Sequence, residues 1–140
     1  MSLTEGSQTI GAIKCIQWPT TSNLLTVNDT EGPVVSNPSP TLAMLWPPNH
    51  TMVDITINYT ATDNCPGLNC VLSVSSNEPV NGTGDGDTEP DWEVVDAHHL
   101  RLRAERAGTG NGRIYTITLT CTDAAGHTVT KTTTVAVAHN

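Results

Sequence analysis

The feature that most constrains this chain is a two-residue alternation that returns in separate stretches. Between Thr51 and Thr62, Val53, Ile55, Ile57, Tyr59 and Ala61 fall on one parity, while Asp54, Thr56, Asn58 and Thr60 fall on the other. Between Arg113 and Thr122, Tyr115, Ile117, Leu119 and Cys121 share a parity, and His99 to Ala104 repeats the pattern with Leu100 and Leu102. Successive side chains of a strand point to opposite faces, so each run reads as a strand with one buried and one wetted face. A helix would scatter the same residues around its circumference.

Four shorter runs complete the set: Thr41 to Trp46 (stopped by Pro47-Pro48), Cys70 to Ser75, Trp92 to Val95, and Thr128 to Val137. Turn residues separate them. Asp63-Asn-Cys-Pro-Gly67, Ala107-Gly-Thr-Gly-Asn-Gly112 and Asp123-Ala-Ala-Gly-His127 break the chain, and Gly126 is placed to take positive φ. Abundant threonine, Gly 11 and Pro 9 favour strands and turns, and with Phe 0 the core must come from Val, Ile, Leu, Ala and a few Trp and Tyr. Seven short strands at this spacing predict an all-β, immunoglobulin-like antiparallel β-sandwich over residues 33–140. Residues 1–32 read as a lead: Met-Ser-Leu as an added leader, then an edge strand or the tail of a preceding domain, with turn residues at 28–33 as the boundary.

If the strands run up and down in order, the loops sort to two poles. Trp46 to His50, the acidic loop at 84–91, and the loop after Ala104 share one pole with the C-terminus. The turns around Cys65 and Asp123 share the other, together with Cys70 and Cys121. Four cysteines, Cys15, Cys65, Cys70 and Cys121, read as two disulfides and hence as export from the cytosol. The expected pairing is Cys65–Cys121 with Cys15–Cys70, among three possible ones. Zinc is the lesser reading, since Cys65-Pro-Gly-Leu-Asn-Cys70 has no second pair.

A net charge of -8 argues against nucleic acid or an anionic membrane as partner, and no run of apolar residues is long enough to insert in a bilayer. The acidic stretch places Asp85, Asp87, Glu89 and Asp91 at every second position among Gly, Thr and Pro. Alternating carboxylates on a non-helical backbone suit Ca²⁺, which takes six to eight oxygen ligands. The competing reading is slightly preferred: Arg103, Arg106 and Arg113 at the same pole neutralise the carboxylates without metal, and Glu105 serves either arrangement.

Leu45-Trp-Pro-Pro-Asn-His50, Ala61-Thr-Asp-Asn-Cys65, Ser76-Asn-Glu-Pro-Val-Asn-Gly82 and Gly84-Asp-Gly-Asp-Thr88 carry a resemblance, joined by Leu102-Arg-Ala-Glu-Arg106, Gly110-Asn-Gly-Arg-Ile-Tyr-Thr116 and Asp123-Ala-Ala-Gly126. Together they resemble the Ig-like modules at the ends of large secreted bacterial proteins, in the branch related to hyalin repeats (HYR). The resemblance spans about residues 33–137 and implies a non-catalytic sandwich appended beside other domains, with no established ligand. The lead with Cys15 departs from the module pattern.

The expected function is therefore a non-catalytic extracellular accessory or adhesion module of a larger secreted or cell-surface protein. Its partners would be neighbouring domains, and a glycan or surface protein. The alternative is a carbohydrate-binding module of a secreted hydrolase, using Trp46 and Trp92 as stacking platforms. The preferred role for these indoles is to plug a core without phenylalanine. His50, His98, His99, His127 and His139 read as surface or turn residues, and no Gly-x-Ser-x-Gly elbow supports nucleophilic catalysis. Carboxylates on one loop lack the two-sided geometry of a glycosidase. Tyr115 reads as a structural corner residue, and the Asn-x-Thr sequons at Asn28, Asn49, Asn58 and Asn81 as chance.

Overall fold

A computed structural model describes residues 31–78, 90–107 and 112–138. Ten strands run through them: β1 Val34–Val35, β2 Ser39–Pro40, β3 Met44–Leu45, β4 Met52–Asn58, β5 Ala61–Thr62, β6 Asn69–Ser76, β7 Trp92–Val94, β8 His99–Arg103, β9 Arg113–Thr122 and β10 Thr128–Val137. They form two four-stranded sheets, in the orders β3-β10-β9-β6 and β2-β4-β8-β7, and a β1-β5 pair. All pairings are antiparallel except β3 with β10. No helix is long and apolar enough to cross a membrane among these residues.

The alternating runs behave as period-two strands should. Tyr115, Ile117, Leu119 and Cys121 of β9 are fully buried, and so are Ile55 and Ile57 of β4 and Leu100 and Leu102 of β8. One cluster joins them with Leu45, Leu72, Val135 and Val137, so the two larger sheets cover a common core, as in a β-sandwich. Val53, Tyr59 and Ala61 pack at its margin. The fold is all-β, and β9 and β10 occupy the whole of their expected runs.

Two expectations need correction. The run Thr51–Thr62 is not one strand: β4 pairs with β8, whereas Ala61 and Thr62 leave that sheet to pair with Val35 and Val34. Parity is conserved across the switch, which is why alternation alone does not reveal it. The run Thr41–Trp46 shortens to Met44–Leu45 beside β10, between Pro40 and Pro47, whose missing N–H groups prevent a longer ladder.

The cysteine pairing differs as well. Cys70 and Cys121 are direct register partners on β6 and β9, and their disulfide staples neighbours within one sheet instead of Cys65–Cys121. Their Cα atoms stand 4.0 Å apart, a closeness that facing positions on paired strands bring about. Because Cys70 is bonded to Cys121, Cys15–Cys70 is excluded as well; Cys65 is also disulfide-bonded, and Cys15 itself lies outside the described residues. The pole around these cysteines is close-packed. Gly67, at φ +102°, lies so near the Asp123–Gly126 turn that a Cβ there would meet that of Ala124 at 3.0 Å. The Asp123 carboxylate orders the turn by accepting from the N–H groups of Ala125 (3.0 Å) and His127 (2.8 Å). Gly126 takes the expected positive φ of 99°.

Candidate functional site at the arginine pole

The opposite pole gathers the residues with the most chemistry. Arg113 opens β9 with its side chain on the core parity, so a guanidinium enters the end of the sandwich, fully buried. Burial of a charge is tolerable only with partners. Arg113 has the Asp91 carboxylate at 3.0 Å, the Glu78 carboxylate at 3.4 Å, and the Tyr115 hydroxyl, to which it donates at 3.0 Å. Its guanidinium carbon also lies 5.4 Å from the Tyr115 ring centre. Burial works against its charge, but the Tyr115 hydroxyl and Asp91 outweigh that, and its pKa lies above the ordinary arginine value.

Tyr115 in turn donates its hydroxyl to the Arg103 carbonyl at 2.9 Å, with the Asp91 carbonyl at 3.3 Å. Burial pushes its pKa up to about 12, against the opposing effect of Arg113. The structural role expected of Tyr115 is thus observed: the side chain ties β9 to the segments on either side of β7 and β8. Trp92 packs against the same ring edge-on, with centroids 6.1 Å apart.

Among the described residues Arg103 neutralises no carboxylate. Its Nε donates to the Pro90 carbonyl at 2.8 Å and its Nη1 to the His50 carbonyl at 2.6 Å, so it clasps two loops by their backbones. Arg106 likewise donates to the Ala138 carbonyl at 3.1 Å. Of the three arginines expected to balance the acidic loop, only Arg113 makes ion pairs among the described residues.

His50 closes the pole from the other side. It is the one non-glycine residue with positive φ (67°) among those described, a backbone state that costs energy outside glycine. Its N–H donates to the Ala104 carbonyl at 2.9 Å, and its ring Nδ1 lies 2.8 Å from Glu105 Oε2. The Glu105 side chain is fully buried while that of His50 is half exposed. Glu105 therefore serves His50, an assignment the sequence reading missed, since 55 residues separate the pair. Glu78 was missed too. Besides meeting Arg113, its Oε1 accepts from the Ala107 N–H at 2.8 Å. Asn77 beside it accepts from the Ile114 N–H at 2.7 Å.

Of the sequence-predicted calcium ligands, Asp91 is buried against Arg113; Asp85, Asp87 and Glu89 lie outside the described residues. Trp46 and Trp92 differ: Trp46 is 55% exposed, whereas Trp92 packs on the core as a plug. His98 stacks on Tyr59, His99 contacts Asp96 and His127 contacts Asp123, while His139 lies outside the described residues. Among the described residues no three His, Cys, Asp or Glu side chains converge as a metal site. Chemically, the described groups join loops: Arg113 and Asp91 neutralise each other, and Arg103 and Tyr115 bind backbone carbonyls.

No family model, no curated protein and no solved structure matches the chain.

Proposed function

We propose that the chain is an Ig-like, non-catalytic accessory or adhesion module of a larger secreted or cell-surface protein, akin to the HYR-related bacterial modules its motifs resemble. The observation that supports this most is the use of cysteine: Cys70 is joined to Cys121, and Cys65 is disulfide-bonded as well. Disulfides persist in oxidising compartments and are rare in the cytosol. The pole chemistry supports the same reading, because Arg103, Arg113, Tyr115 and Glu105 are engaged in holding loops together. Neighbouring domains, and a glycan or a surface protein, are the proposed partners. Calcium enters this proposal through Asp85, Asp87 and Glu89 of the 84–91 loop, Asp91 being held by Arg113.

Two experiments test it. Thiol counting by mass spectrometry on protein exported to an oxidising compartment should find no free cysteine, and cell-binding assays with the exported protein should give saturable attachment. Free thiols in the native secreted protein would end the extracellular reading. Melts with Ca²⁺ and then EDTA test the ion: a site at a hundred times its dissociation constant adds about 2.7 kcal/mol. Asp85→Ala/Asp87→Ala should remove that gain, and identical melts throughout would retire calcium.

A second reading, a carbohydrate-binding module, is favoured by one observation, the exposed indole of Trp46 beside exposed Met44 and Leu42. Loss of binding on a glycan panel after Trp46→Ala would select it.

A further inference from the structure

The two outer faces of the sandwich are built differently. On the β4-β8-β7 side, Arg101 stands between Asp54 and Glu93 in register and pairs with both, at 3.0 and 3.3 Å. That is an ordinary solvated face with charges of both signs. On the other side, Thr116, Thr118, Thr120 and Thr122 of β9 stand directly opposite Thr134, Thr132, Thr130 and Thr128 of β10. Ser75, Ser73, Val71 and Asn69 of β6 continue the same four rows. The β10 threonines are exposed and those of β9 half-buried between their neighbours. None of these twelve positions carries a charge, in a chain with 20 charged residues (14 acidic and 6 basic). Threonine is enriched in strands generally, but that does not explain why one outer face carries charges and the other none.

The eight threonines form a lattice. Neighbouring strands lie about 4.8 Å apart and alternate residues recur about every 6.7 Å along a strand. Threonine has a stiff χ1, so each hydroxyl and methyl is held at its lattice point. The Thr122 and Thr128 hydroxyls, at one end of the array, meet at 3.1 Å, a shorter spacing than that of their strands. Water in a tetrahedral network with O···O distances near 2.75 Å has second neighbours about 4.5 Å apart and an axial repeat of about 7.3 Å. The backbone spacings on which the threonines stand match both to about a tenth. A neutral array fits a neutral periodic solid, whereas a soluble charged partner would gain nothing from it. The face also lacks the aromatic platforms on which sugar rings stack.

We propose that the outer face of β9 and β10 binds ice, its paired threonine ranks ordering water in register with the crystal. This stands apart from the adhesion reading and needs neither Ca²⁺ nor the arginine pole. The right-handed sheet twist limits the matched area to this pair of strands. The expected activity is therefore uptake into growing ice and inhibition of recrystallisation, with little freezing hysteresis.

The test uses the full chain with its disulfides intact, in ice-affinity partitioning and recrystallisation assays. Thr118→Tyr/Thr132→Tyr alters two facing residues at the middle of the array, and Thr120→Lys/Thr130→Lys alters another facing pair should the first fold poorly. Thr56→Tyr on the opposite outer face is the control, and melts verify that each variant folds. The wild type and Thr56→Tyr should enter ice and keep crystals small, and both double variants should lose the two effects. Exclusion of the wild type from ice would overturn the proposal, and so would unchanged activity in the folded double variants. Face-dependent sedimentation with insoluble cellulose, without uptake into ice, would overturn it too and assign the face to polysaccharide.

Discussion

Arg113 and Asp91 form an ion pair 3.0 Å apart in which neither side chain reaches solvent. Removing one partner of such a pair leaves the other charge buried and unpaired, whereas replacing both by apolar groups is far less harmful. Arg113→Leu should therefore destabilise the fold by about 3–5 kcal/mol. Arg113→Leu/Asp91→Leu should recover a large part of that loss, Glu78 having partial access to water. Urea unfolding of the two variants at neutral pH is the measurement. A double variant as unstable as the sum of both single ones would show that the pair is not the relevant unit.

The same cluster makes an alkaline prediction. The Tyr115 pKa is raised to about 12, chiefly by burial, and that of Tyr59 is raised by burial and by Asp96. These are the only two tyrosines in the chain, so tyrosinate absorbance reports on them alone. For a group whose folded pKa lies above its unfolded value of 10, the folded state holds the proton longer. That contribution to stability is complete below pH 10 and is lost as pH rises through about 12, in total roughly 2–3 kcal/mol for Tyr115. Titration should show less than half of the tyrosine ionised at pH 10 in the native state, and the melting temperature should fall above pH 10. Half-ionised tyrosine at pH 10 in folded protein would contradict the burial of the Tyr115 hydroxyl.

The Cys70–Cys121 bridge closes a sequence separation of 51 residues. Loop-closure entropy for that length corresponds to about 4 kcal/mol. Cys70→Ala/Cys121→Ala should cost somewhat less, on the order of 2–4 kcal/mol, because β9 and β6 remain paired over eight positions. Thermal unfolding of the double variant, with the Cys65 disulfide left intact, checks this. A loss under about 1 kcal/mol would mean that the unfolded chain is already constrained in the same region.

How far the sequence carries is visible in these residues. Parity along one strand suffices to bury Tyr115, Ile117, Leu119 and Cys121, because period two is a property of the strand itself. The split of the chain into two poles also follows from strand order, which is why an arginine was expected beside Asp91. Choosing Cys70 rather than Cys65 for Cys121 requires the register of β6 on β9, and no residue in isolation encodes that. Arg103 and Arg106 look like carboxylate partners in sequence, yet they bind backbone carbonyls, which every residue possesses and which leave no mark in composition. His50 and Glu105 meet because β8 delivers one to the turn that holds the other. The threonines of β9 and β10 are plain in the sequence, but only the register turns them into facing ranks.

The two tryptophans of this pole separate structure from surface. Trp92 packs edge-on against buried Tyr115 and belongs to the margin of the core, whereas Trp46 is 55% exposed. Truncating a packed indole costs the lost burial plus the cavity left behind, and for a half-buried one about 2–3 kcal/mol is expected. An exposed side chain away from such features changes stability by at most about 0.5 kcal/mol. Trp92→Ala should therefore shift the urea midpoint strongly and Trp46→Ala hardly at all. In a Trp18→Phe background fluorescence should match, because the Trp46 emission is open to aqueous quenchers while Trp92 packs against Tyr115. If Trp46→Ala proved as destabilising as Trp92→Ala, both indoles would be core plugs, and the sugar-stacking alternative would lose the one observation in its favour.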